Sequence, residues 1–198
     1  MNHQNRIKAL LKIASEDPIA DTINQAIGLA TDFTKRHEGF DPHYWDPIGK
    51  VWTAGHGHTS RYDAKTRTWV PITANKSDSL DEKTSSSLVT RRHRQNAASM
   101  YVKFPWFRKM NSRQQAALLD LAYNVGMGTL SPSVSRNLHR KLSAPNADYD
   151  AILREELPTY NKSNGKVIKG LVNRRNDTIS EFLAPAKPVP TTTTPTKR

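Results

Sequence analysis

A helical pattern ends at Glu38 and Gly39, and an aromatic, glycine-rich β pattern begins directly after them. Upstream, apolar residues recur at helical spacing from Ile23 onward, with Asp21 as the expected N-cap. Downstream, β-forming residues flank a turn at 47–49, which predicts a β-hairpin. A chain that changes period in this way is expected to fold as an α+β domain, with Glu38 at the helix end.

From residue 79 onward the sequence is predominantly helical. Residues 60–78 mix β-forming and turn residues and predict a small sheet or a long surface loop. Residues 116–125 are apolar on nearly all sides, which predicts a buried central helix. Helix starts are predicted at the capping boxes 79–82 and 112–115, at Ser131-Pro132, at Asn146 or Asp148, and near Leu171. The expected architecture is a small β-hairpin lobe and a larger helical lobe, with a cleft between them.

The two ends of the chain differ from the segment between them. Residues 1–20 predict a basic helical extension, either a surface helix packed on the body or, as the lesser alternative, an arm that touches a membrane. Residues 185–198 are rich in proline and threonine without apolar periodicity, which predicts a disordered tail. The expected folded domain therefore spans residues 21–184.

The chain is strongly basic and contains no cysteine. Its formal net charge of +12 favours polyanionic partners, which include nucleic acid, anionic lipid and an acidic cell wall. The basic residues are spread along the chain, which suits a long anionic polymer at least as well as a nucleic-acid duplex. We expect no specific nucleic-acid partner. The lack of cysteine excludes a disulfide framework, a thiolate metal site and a cysteine nucleophile. We expect no secretory signal and no transmembrane segment.

Two carboxylates and a hydroxyl, those of Glu38, Asp46 and Thr53, lie close together in the sequence. The partial negative charge at a helix C-terminus disfavours an ionised carboxylate, which suits Glu38 to the role of a general acid. Asp46 and Thr53 lie on the predicted hairpin. An acid on a helix end opposite an acid on a hairpin is suited to hydrolysing a glycosidic bond. The alternative is that Glu38 is an ordinary solvated residue at a helix end.

His56 and His58 alternate with glycines and would share one face of an extended segment. A zinc site would need a third ligand, and none stands out nearby, so we expect no metal and no other cofactor. A hydrogen-bonded, structural role for His58 is the favoured interpretation.

Six short segments together resemble the phage-type lysozymes, or endolysins, of glycoside hydrolase family 24. They occur in the family's order across roughly residues 22–183, and each is a weak signal alone. The segments are Glu38-Gly39, Asp46-Pro47-Ile48-Gly49, Val51-Trp52-Thr53, Gly55-His56-Gly57-His58-Thr59, Ala122-Tyr123-Asn124-Val125-Gly126 and Gly170-Leu171-Val172-Asn173-Arg174-Arg175. Compared with the family's usual spacing, this chain has one residue fewer between Glu38 and Asp46 and one more between Asp46 and Thr53. Asp41 is the nearby acidic alternative to Asp46.

The resemblance implies a muramidase that hydrolyses the β-1,4 bond between N-acetylmuramic acid and N-acetylglucosamine in bacterial peptidoglycan and so lyses the host cell. Glu38 would donate a proton to the glycosidic oxygen. Asp46 and Thr53 would hold a water on the opposite face of the sugar, which gives inversion at the anomeric carbon.

The resemblance also assigns residues around this catalytic set. Tyr123 would stack on a sugar, and Asn124 would hydrogen bond to one. Arg174 would lie near Glu38 and hold it in place; the alternative is a surface arginine within a basic run. His58 is grouped with these residues as a structural side chain beside the substrate.

A monomer that waits in the host cytoplasm and reaches the periplasm and cell wall through a holin pore is the expected biological form. Three alternatives stay open at this point. One is a lysozyme carried in the virion and used to enter the cell. The second is a lytic transglycosylase, which uses one acid and releases an anhydro sugar. The third is a basic, non-catalytic protein that binds the wall or nucleic acid.

Overall fold

The computed structural model describes residues 18–47, 49–163 and 165–183. The helices and strands, in chain order, are α1 (Pro18–Glu38), β1 (Asp41–Asp46), β2 (Val51–Gly55), β3 (Ser60–Asp63), β4 (Thr68–Pro71), α2 (Glu82–Lys103), α3 (Ser112–Val125), α4 (Arg136–Leu142), α5 (Tyr149–Glu156), β5 (Lys162–Ser163), β6 (Lys166–Val167) and α6 (Lys169–Phe182). The predicted α+β class is confirmed. Residues 1–17 of the predicted basic extension and the tail expected at 185–198 lie outside the described residues.

The helical lobe is built around α3. Every residue from Ala116 to Ala122 is at most 3% exposed, so the predicted buried central helix is confirmed. The helices α1, α2 and α6 all pack against α3. The aromatic residues that follow α2, among them Phe104 and Phe107, are buried in the same core.

The smaller lobe consists of two β-hairpins. Strands β1 and β2 pair antiparallel, with Tyr44 opposite Thr53 and Asp46 opposite Val51. Strands β3 and β4 form a separate two-stranded sheet, so residues 60–71 do not extend the first hairpin. A small apolar core lies beneath the hairpins and is formed by Ala54, Ile72, Leu80 and Leu88.

Helix α2 belongs to both lobes. Leu88, in its first half, is part of the small core of the β lobe, whereas Ala97 and Met100, further along, belong to the core of the helical lobe. The relative position of the lobes therefore depends on this helix. None of the helices in the described ranges combines the length and hydrophobicity needed to cross a membrane.

The structure corrects several predicted helix starts. Helix α1 begins at Pro18, so Asp21 lies in its first turn, where a negative charge is also favourable. The N-cap of α2 is Asp81, which accepts a hydrogen bond from the backbone of Thr84, and not Ser79. The capping box of α3 begins one residue earlier than predicted, at Asn111.

The helix predicted to start at Ser131-Pro132 begins at Arg136 instead. Residues 128–135 form consecutive turns, closed by the backbone N–H of Ser131 on the Gly128 carbonyl and that of Val134 on the Ser131 carbonyl. Serine hydroxyls that hydrogen bond locally stabilise such turns against a helix, and Ser135 donates to the Thr129 carbonyl at 2.6 Å.

Candidate active site

Glu38 is the last residue of α1, which ends where the sequence pattern predicts. The φ angle of Gly39 is 66°, in the left-handed region, and its N–H donates to the Lys35 carbonyl at 3.1 Å. The chain therefore turns away from the helix directly after Glu38. The side chain of Glu38 is 22% exposed, which leaves it accessible at the junction of the two lobes.

Arg174, on α6, holds one oxygen of this carboxylate. Its Nη1 donates to Oε1 of Glu38 at 2.5 Å, and the arginine side chain is only 6% exposed. Burial by itself lowers the pKa of Arg174, but the attraction of Asp120 and Glu38 outweighs it and raises the pKa above its ordinary value. Arg174 is thus a permanently charged donor that fixes the orientation of the Glu38 carboxylate.

The second partner of Arg174 is Asp120, a fully buried carboxylate in α3. Nε and Nη2 of Arg174 donate to its two oxygens at 3.2 and 2.6 Å. Thr34, on α1, donates its hydroxyl to Oδ1 of Asp120 at 3.0 Å. One buried carboxylate therefore connects α1, α3 and α6 directly behind Glu38.

Asp120 was not among the site residues predicted from the sequence. The signal that could have found it is its isolation, because it is the single charged residue in the apolar segment 116–122. A charge at the centre of a buried helix has to be paired, so its presence there indicates a cation from another element.

His93, on α2, extends the network behind the site. Its Nε2 lies 3.1 Å from Oγ1 of Thr34, and since the Thr34 hydroxyl donates to Asp120, the histidine nitrogen is the donor. Burial lowers the pKa of His93 to about 4, although the negative charge of Asp120 opposes the shift. The ring is therefore neutral at pH 7.

Tyr44, Asp46 and Thr53 share one face of the β1–β2 hairpin, because Tyr44 pairs with Thr53 and Asp46 follows Tyr44 by two residues. Burial raises the pKa of Tyr44, and the negative charges of Asp46 and Glu38 raise it further. The Tyr44 hydroxyl thus interacts electrostatically with both carboxylates. The β pattern of the sequence alone gives Tyr44 no role in the site. Asp46 reaches over the turn, where a Cβ on Gly49 would lie 2.6 Å from its Oδ2.

Gly57 brings the backbone that follows β2 against the second oxygen of Glu38. Its φ angle is 76°, and a Cβ added there would lie 2.8 Å from Oε2 of Glu38. The two oxygens of Glu38 therefore have different environments, since Arg174 holds Oε1 and the Gly57 backbone approaches Oε2. A side chain at position 57 would displace the carboxylate.

The structure places His58 and Tyr123 in contact with each other beside Gly57. The Nε2 of His58 lies 3.0 Å from the Ser85 carbonyl oxygen, and burial lowers the pKa of His58 to about 4. The ring is neutral at pH 7, so Nε2–H donates. The Tyr123 hydroxyl donates to the His56 carbonyl at 2.9 Å. Both side chains thus fix the loop that carries Gly57.

Two other predicted features have partners within the protein. Nδ1 of His56 lies 2.7 Å from the Ser85 hydroxyl. Over the described residues, no group of three or more histidine and carboxylate side chains could hold a metal ion. The side-chain oxygen of Asn124 accepts a hydrogen bond from Arg175. Sugar contacts by Tyr123 and Asn124 stay predictions.

Comparison with known proteins assigns the family. Residues 35–178 match a family model described as phage lysozyme, and this range includes Glu38, Asp46, Thr53, Asp120 and Arg174. The chain belongs to the phage lysozyme family. The resemblance inferred from six short segments is thereby confirmed, together with the lysozyme-like fold.

Two phage proteins are among the relatives of this phage lysozyme. The chain is 29% identical over 130 residues to the SAR-endolysin of Haemophilus phage HP1, and the alignment covers 63% of each protein. It is 41% identical over 66 residues to the endolysin of Bacillus phage PZA, which covers 33% of this chain and 23% of that protein. The chain therefore matches less than two thirds of the length of either relative.

The neutral, buried His93 predicts that the phage lysozyme loses stability in mild acid. Between pH 6.5 and 4 the unfolded state binds a proton at this histidine and the folded state does not, so the free energy of unfolding falls as pH falls. The loss is about 1 kcal/mol per pH unit for this group. We expect His93→Gln, which keeps a donor for Thr34, to show a shallower pH dependence in urea unfolding.

The ring resonances of His93 in NMR spectra give a direct measurement, with the His93→Gln variant used for assignment. A midpoint near pH 4 agrees with the prediction. A midpoint near 6.5, or equal pH slopes for the two proteins, would contradict it.

Proposed function

We propose that this phage lysozyme is an endolysin, a muramidase that hydrolyses the β-1,4 bond between N-acetylmuramic acid and N-acetylglucosamine and so lyses the host cell. The observation that carries the proposal is the position of Glu38. Its carboxylate lies at the junction of the lobes, fixed through one oxygen by Arg174. The endolysin names of both relatives support the same assignment.

Glu38 acts as the general acid in this proposal. Arg174 holds Oε1, so Oε2 is the oxygen that carries the proton to the glycosidic oxygen. The buried network behind Arg174 keeps the acid stationary while the bond breaks, and such positioning lowers the barrier by removing the entropy cost of orientation. Asp120, which touches no substrate, is a positioning residue.

Asp46 and Thr53 act from the hairpin on the opposite side. They share a face with Tyr44, and the negative charges of Asp46 and Glu38 both raise the pKa of its hydroxyl. We assign them to hold a water molecule that attacks the anomeric carbon, with Asp46 as the base or as the group that stabilises the developing positive charge. This arrangement inverts the configuration at that carbon.

The charge of the molecule supports a wall polymer as the substrate. A formal net charge of +12 attracts an anionic polymer and raises the encounter rate at low salt. Release through a holin and action as a monomer belong to the same proposal.

The first test is Glu38→Gln, which keeps the shape of the side chain and removes the proton donor. We expect wall lysis to fall by about 100-fold or more, the usual contribution of a general acid. Turbidity loss of purified peptidoglycan measures it.

Glu155→Gln is the matched control, since Glu155 is 67% exposed on α5 and pairs with Lys141. It should lyse walls like the wild type. Equal lysis by wild type and Glu38→Gln would reject the muramidase proposal.

A second test uses Gly57→Ala, which adds a Cβ 2.8 Å from Oε2 of Glu38. The displaced carboxylate is expected to lower kcat on the order of tenfold or more, because misplacement of a catalytic group by a fraction of an ångström is costly. Gly165→Ala is the control, because Gly165 has the same φ of 76° but nothing within 4 Å of an added Cβ.

The two alanine variants should lose similar folding stability, about 1 kcal/mol, from the left-handed backbone. In addition to this shared loss of stability, only Gly57→Ala should lose catalytic activity. Equal activity losses would show that backbone strain, and not the contact with Glu38, is responsible.

A third test examines the reaction products. Inversion predicts that the newly formed reducing end is the α-anomer at early times, as followed by NMR. Asp46→Asn should lower kcat by about 100-fold while the product keeps this configuration. A β-anomer would reject inversion, and an anhydro sugar in the mass spectrum would indicate a transglycosylase.

A further inference from the structure

A cavity of about 270 Å³ opens between the lobes beside the candidate active site. Gly57, which contacts Glu38, and Tyr123 form the part of its wall nearest the acid. Arg92 and Asn96, which lie one helical turn apart on α2, and Ser60 also line the cavity. The space would hold about nine water molecules, so it can admit a substituent of a sugar chain and not only an ion.

Arg92 is held in this cavity without a counter-charge. Its guanidinium carbon lies 4.1 Å from the centre of the Trp69 ring, and its Nη2 lies 3.4 Å from the Ser60 hydroxyl. No carboxylate among the described residues forms an ion pair with it. Arg174 differs, since two carboxylates compensate its charge. The Arg92 side chain is therefore oriented but electrostatically uncompensated.

Asn96 adds an amide to the same wall. The residue is only 6% exposed, and its side-chain amide has no hydrogen-bond partner within the described part of the chain. The amide is accessible from the cavity and free to hydrogen bond with a ligand there. Asn96 lines the cavity one helical turn from Arg92, so one ligand group can hydrogen bond to both side chains.

We propose that Arg92 and Asn96 bind a carboxylate carried by the muramic acid residues of the glycan strand. Arginine has only donors, and a charged donor that has no carboxylate partner among the described residues is suited to an anion. On such a strand every second sugar carries an acidic substituent, either the free lactyl group or a stem peptide attached to it. This inference rests on the proposed function, because it places the strand against Glu38.

The pocket would make Arg92 a specificity residue of the lysozyme. It distinguishes a strand with acidic muramic acid residues from a neutral polymer of N-acetylglucosamine, which has no such substituent. The acid and the specificity group lie on different elements, so substrate selection at Arg92 is separable from proton donation at Glu38.

The test compares two pairs of substrates. The first pair is peptide-free glycan strands, untreated or with their lactyl carboxylates converted to methylamides by carbodiimide and methylamine. The second pair is peptide-bearing wall, untreated or treated in the same way. The readouts are KM and kcat of the wild type, Arg92→Gln and Arg92→Met; the methionine variant keeps the unbranched stem over Trp69.

We expect the wild type to have a KM about tenfold lower for the untreated member of at least one pair, and both Arg92 variants to lose this difference at similar kcat. A difference within the first pair identifies the lactyl carboxylate. A difference confined to the second pair identifies the stem peptide.

Arg91→Gln is the matched control. Arg91 is the neighbouring residue, changes the net charge equally and stacks over Tyr62 at 3.9 Å, but it does not line the cavity. It should keep the preference for untreated substrate. A wild type with no preference, or Arg92 variants that keep it, would overturn the inference.

Failure of the proposed function gives a different result. The wild type would then cleave none of the four substrates. Equilibrium binding of the same strands would then test the role of the pocket. Equal affinities for the treated and untreated members of each pair would show that the inference is wrong.

Discussion

The arrangement of the site depends on the buried ion pair between Asp120 and Arg174. Neither charge would be tolerated alone in the helical core, because a buried charge without a partner destabilises a protein by several kcal/mol. Together they satisfy each other, and Thr34 supplies a further donor from α1. Three helices therefore share one electrostatic constraint. The remaining donor of Arg174 is directed at Glu38, so the packing of the core sets the position of the acid.

The two sides of the cleft are organised by different physical means. On the helical side, buried charges and a neutral His93 fix Glu38 from behind. On the β side, close approach of the backbone fixes the arrangement. Gly57 contacts Glu38, and a Cβ added to Gly55 would lie 2.1 Å from the Ser85 hydroxyl. A charged network tolerates few substitutions of residue type, and a glycine contact tolerates few increases in size. Substitutions are thus restricted by charge on the helical side of the cleft and by side-chain volume on the β side.

Local patterns predicted the helix end at Glu38, the hairpin and the buried α3 because each depends on residues within a few positions of one another. The network behind Glu38 joins Thr34, His93, Asp120 and Arg174, which are far apart in the chain. Periodicity contains no information about such pairing, and a single buried carboxylate in an apolar helix is the sole local sign of it. Helix starts were misplaced for a related reason, because several side chains in a row can cap and tertiary packing selects among them.

The division of the apolar residues into two cores also has a consequence for partial unfolding. Among the described residues, the β lobe has a core of four buried apolar residues with three partly buried aromatic residues packed against it, whereas the helical lobe has a much larger core. Regions with few buried contacts open at lower free energy than the whole molecule does. The β lobe can therefore open while α1, α3 and α6 stay folded and Glu38 keeps its ion pair with Arg174. In such a state Glu38 keeps its orientation but faces solvent. Activity would therefore be lost when the smaller lobe opens, even though the larger helical lobe is still folded.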